Sequence, residues 1–164
     1  MEASGSNPTC EHWLLTGMDP ECLDLLLAAG RDVRFEPGEV IFREGDVADG
    51  LYLIMGGSVR LSATGDKGEM LLSMAHGGDI VGELGVLDAY PRSATAVSVG
   101  VCAAYFVPAE PFLDALEISS LACMKMMAHL TQRLRTANGR LGELAPTSTL
   151  HGDRATTDHW PKSA

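Results

Sequence analysis

The feature that most limits what this 164-residue chain can fold into is its punctuation between residues 31 and 107, where short apolar or alternating runs are each closed by a turn, most of them carrying glycine. Residues 31–36 alternate as a half-buried strand, and Pro37-Gly38 turns them. Val40-Ile41-Phe42 follows, then Glu44-Gly45-Asp46; residues 51–55 read as a buried strand ended by Gly56-Gly57. Residues 58–63 alternate again, 65–68 form a hairpin tip, and 69–75 pair back. Ile80-Val81 closes a short strand after His76-Gly77-Gly78-Asp79, and 93–99 and 101–107 flank Gly100. Eight strands this short cannot bury themselves, so the spacing predicts a mainly β fold, an antiparallel sandwich or roll of eight strands. Eighteen glycines and only 5 % aromatic residues fit such a turn-rich protein.

Helical periodicity frames this region. Asp19-Pro20 is a helix start, an N-cap carboxylate followed by proline at the first helical position. Leu23, Leu26 and Leu27 form the apolar face and Gly30 the stop, and a short helix is expected over 11–15. Residues 108–117 read as an amphipathic helix with Phe112, Leu113 and Leu116 inward. Ser119-Ser120 caps a long helix to Leu144, whose Met127, Leu130, Leu134, Ala137, Leu141 and Leu144 alternate spacings of three and four. That a/d pattern predicts a homodimer seam; the rival reading packs the stripe on the chain's own roll. The expected organisation is an N-terminal segment 1–18, a domain 19–145 that includes the helix 119–144, and a polar disordered tail or linker over 146–164.

The chemistry concentrates in residues 77–97. Gly82 permits a tight turn from Ile80-Val81 into a helix of barely two turns over 83–88, with Leu84 and Leu87 on one face. A helix start behind a glycine offers unpaired N–H groups to an anion. Arg92 and Ser93 follow Pro91 at the mouth of the next strand and complete a pocket for one phosphate. Glu83 accepts hydrogen bonds only, so its natural partner is a hydroxyl. An anion beside a hydroxyl describes a sugar phosphate or a nucleotide.

The run Gly82-Glu83-Leu84-Gly85 followed by Pro91-Arg92-Ser93-Ala94-Thr95 resembles the phosphate-binding cassette of cyclic nucleotide-binding domains, and the resemblance extends over residues 20–145. It implies a β-roll of two four-stranded sheets, of jelly-roll type, with the cassette helix between strands six and seven. It implies that Glu83 takes a ribose 2′-hydroxyl, that Arg92 pairs with a cyclic phosphate, and that amides around Gly82, Leu84 and Gly85 complete the cradle. Cyclic AMP is the expected ligand and cyclic GMP the alternative, because Ser93 could also reach a guanine amino group. The long helix is similar to the lid helix of the catabolite activators, but Ala137-Asn138 stands where that family places a base-contacting Thr-Ser pair. Asn138, which can donate and accept, is the candidate base contact.

A net charge of −10 opposes nucleic-acid binding by this chain, since that affinity comes from neutralised phosphates. Four scattered cysteines form no metal or disulfide motif, and Cys102 and Cys123 lie in apolar runs. No signal peptide or membrane span is evident, so a cytoplasmic setting is expected. No metal, cofactor or catalytic constellation is expected either. The reading is a non-enzymatic cyclic nucleotide sensor reporting through its long helix, with a fused or flanking effector. The alternatives are a ligand-free dimerisation module, a truncated DNA-binding regulator, or a piece of a fused enzyme or transporter, glutaminase-like proteins included.

Overall fold

The computed structural model describes residues 11–144. Helix α1 (Pro20–Ala29) precedes eight strands: β1 (Arg31–Phe35), β2 (Val40–Phe42), β3 (Gly50–Gly56), β4 (Ser58–Gly65), β5 (Gly68–His76), β6 (Ile80–Val81), β7 (Thr95–Ser98) and β8 (Cys102–Pro108). Helix α2 (Glu83–Asp88) lies between β6 and β7, and α3 (Ala109–Ile118) and α4 (Ser120–Leu144) follow β8. All pairings are antiparallel, in two four-stranded sheets of order β1-β8-β3-β6 and β2-β7-β4-β5. The expected eight-stranded roll with flanking helices is therefore the observed architecture.

Two cores hold it together. Phe42, Val59, Leu61, Ala75 and Ala96 of the second sheet meet Ile54, Val81, Cys102 and Ala104 of the first inside the roll. On the other face of the first sheet, Leu51, Leu53, Ile80, Tyr105 and Val107 pack with Leu14, Leu15, Leu26, Phe112, Ala122 and Met126. Strand alternation accounts for the division: Leu51 and Leu53 point to the helices, Tyr52 and Ile54 to the roll interior. Each such buried leucine contributes about 1.5–3 kcal/mol. Cys22 and Cys102 belong to these interiors, and burial pushes both thiols up, which keeps them protonated and inert.

Several local expectations change. Glu11 is in a 3₁₀ conformation and residues 13–17 form turns in place of an α-helix over 11–15, with Leu15 N–H and Thr16 N–H both donating to the His12 carbonyl. Asp19 precedes Pro20 as expected but makes no side-chain cap bond. Gly30 ends α1 in an extended conformation, and its missing Cβ is required because a methyl there would run into the Tyr105 ring and the Phe106 carbonyl. In α3 the buried residues are Phe112 and Ala115, whereas Leu113 faces outward. Leu116 is half-buried against the same core, as expected, and Ala115 joins Phe112 inside it.

Ser119 caps α4 through its hydroxyl, which accepts from Ala122 N–H at 3.2 Å. The described chain belongs to two units, Met1–Ala128 and His129–Ala164, with the division inside α4. In the first, Ala122 and Met126 face the core while Leu121, Met124 and Met127 are exposed. In the second, Leu134 and Ala137 are exposed and Leu130 is half-buried. The side chains of Leu141 and Leu144 and the whole 146–164 tail lie outside the described residues, as does the N-terminal stretch to Cys10. No helix among the described residues is long and apolar enough to cross a membrane.

Candidate functional site

The β6–α2–β7 segment is built around a left-handed turn. Gly82 has φ +85°, a conformation that an L side chain adopts only under strain. A Cβ there would lie 2.5 Å from Arg92 Nη1 and 3.1 Å from Phe42 Cε1. The bare backbone thus makes the space in which the arginine sits. Gly85 serves a second close approach, with the Ala48 methyl and the Tyr90 carbonyl each 2.7 Å from where its Cβ would be.

Helix α2 buries Glu83, Gly85 and Val86, and of the two leucines placed on one face by their spacing Leu87 packs against the core. Leu84 is exposed and Val86 enters the core beneath the helices. The helix is too short for periodicity to decide its orientation; the turn at Gly82 does. At its other end Ala89 has φ 58°, the one non-glycine with positive φ among the described residues. Ala89→Gly should stabilise the protein by about 0.5–1 kcal/mol, because relief of roughly 1–2 kcal/mol of strain exceeds the entropy that glycine adds to the unfolded chain. A urea denaturation midpoint that falls instead would show the strain is absent.

Arg92 is buried at 3 % exposure, unusual for a cation. Its Nη1 donates to the Gly82 carbonyl at 2.8 Å and its Nη2 to Asp49 Oδ1 at 2.9 Å. Cζ lies over the Phe42 ring, 4.3 Å from the centroid. The Nε atom is buried with no hydrogen-bond partner. A buried donor left unsatisfied costs about 1–3 kcal/mol, more when charged, and is the expected mark of a missing acceptor. The backbone on either side is tied to the β2–β3 loop: Arg92 N–H donates to the Asp46 carbonyl and Gly45 N–H to that of Arg92.

The structure therefore brings Gly82, Glu83, Gly85 and Arg92 into one cassette, with Glu83 at 1 % exposure. Ser93 is exposed beside the buried arginine. Asn138 is exposed on the part of α4 that belongs to the second unit. Sequence reasoning missed Asp49 and Phe42, the arginine's partners from 43 and 50 positions away, for which no local signal exists. Tyr52 also reaches this neighbourhood: burial pushes its phenol up, Asp49 adds to the rise, and Arg92 and Arg31 oppose it. The turn residues Glu44 and Asp46 hold backbone, accepting from Thr64 N–H and Arg43 N–H at 2.8 Å each. His76 likewise pairs locally with Ser58 and Asp79.

The class of protein is thus a two-sheet antiparallel roll that carries a glycine-turned helix and a buried arginine between its sixth and seventh strands. The model of the cyclic nucleotide-binding domain matches residues 32–119, more than half of the chain, and the chain belongs to that family. It is 34 % identical over 133 residues to the cyclic AMP receptor protein of Thermus thermophilus, covering 80 % of this chain and 62 % of that protein. A crystal structure of the T. thermophilus catabolite activator protein superposes with a TM-score of 0.68, at the same identity and coverages. The regulatory domain of Toxoplasma gondii PKA, crystallised with cAMP, is 27 % identical with a TM-score of 0.60, covering 66 % of this chain and 41 % of that one. The chain thus spans about three fifths of the length of the T. thermophilus relative it matches.

Proposed function

We propose that this protein is a cyclic nucleotide sensor, with cyclic AMP its preferred ligand, acting as a non-enzymatic regulatory domain in the cytoplasm. The observation that carries the reading is the buried Arg92 whose Nε–H has no acceptor, set beside a buried Glu83 in a glycine-turned cassette. A cyclic phosphate supplies that acceptor, and the amides at Gly82, Leu84 and Gly85 add neutral donors to it. Glu83 takes the ribose 2′-hydroxyl. Asp49, whose side chain is exposed to solvent, gives up part of its hold on Nη2 as the phosphate arrives.

The cassette grips ribose and phosphate only, so the base is covered from elsewhere, with Asn138 and Ser93 the proposed contacts. The exposed Met127, Leu134 and Ala137 support a homodimer seam along α4, and a helix that serves as both lid and seam couples ligand to assembly. Domain 19–145 is the sensing unit, and the effector is a fused or flanking partner.

Calorimetry tests the reading. Cyclic AMP has about 22 non-hydrogen atoms, and roughly 0.3 kcal/mol each predicts a Kd near 10 µM. No heat and no thermal shift at millimolar ligand would end the sensor reading. Glu83→Ala should weaken cyclic AMP binding yet leave its 2′-deoxy analogue nearly unaffected; equal losses for both ligands would remove Glu83 from the ribose. Cyclic AMP should also outcompete cyclic GMP, and a tenfold preference the other way would reverse the base assignment.

A further inference from the structure

Building on the cyclic nucleotide reading, we infer that Phe42 is a positioning residue for the ligand, its ring acting as the shelf that sets the plane of the Arg92 guanidinium. A guanidinium carries all five of its donors in its own plane and none on its faces. The Cζ atom lies over the Phe42 ring, 4.3 Å from its centroid, and a guanidinium resting flat on that ring gives up none of the donors that the phosphate needs. The in-plane positions are divided differently. The Gly82 carbonyl holds Nη1, Asp49 holds Nη2, and Nε–H is left for the incoming oxygen.

These supports differ in permanence. The Asp49 side chain is 68 % exposed, whereas that of Arg92 is 1 % exposed, so the carboxylate is free to leave and the cation is not. Once Asp49 yields, one hydrogen bond and the ring face define the fork. A single hydrogen bond permits rotation about its own axis; the ring face removes that freedom.

Phe42 is itself held in orientation. It is 8 % exposed, and the Tyr52 ring stacks on it at 6.0 Å with an interplanar angle of 29°. Tyr52 in turn packs on Phe106 at 5.0 Å and on Phe35 at 5.9 Å. The shelf therefore belongs to an aromatic cluster that draws on both sheets, β2 from one and β1, β3 and β8 from the other. Gly82 completes it, since a Cβ there would press on the ring and on the guanidinium together.

The competing account is that Phe42 only fills the roll interior. A small double-substitution series on the full chain separates the two, with cyclic AMP affinity read by calorimetry and folding by urea denaturation. Phe42→Leu keeps most of the volume but removes the ring face, and about a tenfold loss of affinity is expected. Phe42→Tyr restores the face and should bind within threefold of the parent. Arg92→Lys keeps the charge but has no plane to stack. On that background Phe42→Leu should change affinity less than threefold. Equal losses on the arginine and lysine backgrounds, or failure of Phe42→Tyr to recover binding, would overturn the positioning role while leaving the sensor reading intact. Absence of binding by the parent protein would instead overturn the sensor reading and this role with it.

Discussion

Replacing Arg92 with alanine should cost about 2–5 kcal/mol of cyclic nucleotide binding, roughly thirty-fold to several-thousand-fold in affinity, because the ligand's charge then enters a pocket with no cation to meet it. The arginine is 3 % exposed, so water cannot stand in for it as it would at a surface site. The effect on folding should be smaller. Losing Arg92 leaves the Gly82 carbonyl without its donor, at about 1–3 kcal/mol. It also removes a buried charge with an unsatisfied Nε–H, and relief of that desolvation offsets part of the loss. Asp49 is exposed and simply returns to solvent. Calorimetry against cyclic AMP, paired with urea denaturation, reads both quantities. Binding within twofold of the parent protein would remove Arg92 from the phosphate.

Gly82→Ala should damage binding and stability together. The alanine must hold φ near +85°, at about 1–2 kcal/mol, or abandon the turn that aims α2. Its methyl must also displace Arg92 Nη1 from 2.5 Å, and the Phe42 edge at 3.1 Å leaves little room to move. Together these predict a loss of about 2–3 kcal/mol of folding stability and at least a tenfold loss of affinity. Gly100→Ala is the control: its φ lies outside the left-handed range and no atom comes within 4 Å of its added Cβ, so stability should move by less than about 0.5 kcal/mol. Similar behaviour of the two variants would show that Gly82 is not held as described.

The same contrast runs through the molecule. Short-range signals in the sequence identified all eight strands to within about two residues, the Asp19-Pro20 start of α1, the Ser119 cap of α4 and the glycine turn into α2. Each depends on one residue and its immediate neighbours: a dihedral only glycine accepts cheaply, a proline without an N–H, a hydroxyl three positions before an orphan amide. The family was readable for the same reason, since Gly82, Glu83 and Arg92 sit on a single short segment.

Which face each helix buries was decided by its neighbours. Spacing alone puts Leu84 with Leu87 and Leu113 with Leu116; Leu87 and Leu116 pack on the core, but the fold left Leu84 and Leu113 exposed and buried Val86 and Ala115 more deeply. Strand order is non-local in the same way: β1 pairs with β8 across the whole roll, and nothing in residues 31–35 names residues 102–106 as partners. The surroundings of Arg92 depend on that assembly. Asp49 precedes β3 and Phe42 ends β2; on their own they read as a turn carboxylate and a core aromatic. By itself the sequence determined the strands, their turns and the residue types of the cassette, because those are properties of bonded neighbours. The burial of the arginine, the ring beneath it and the donor it leaves open exist only once the two sheets close, because they depend on groups that the chain brings together from 43 and 50 residues away.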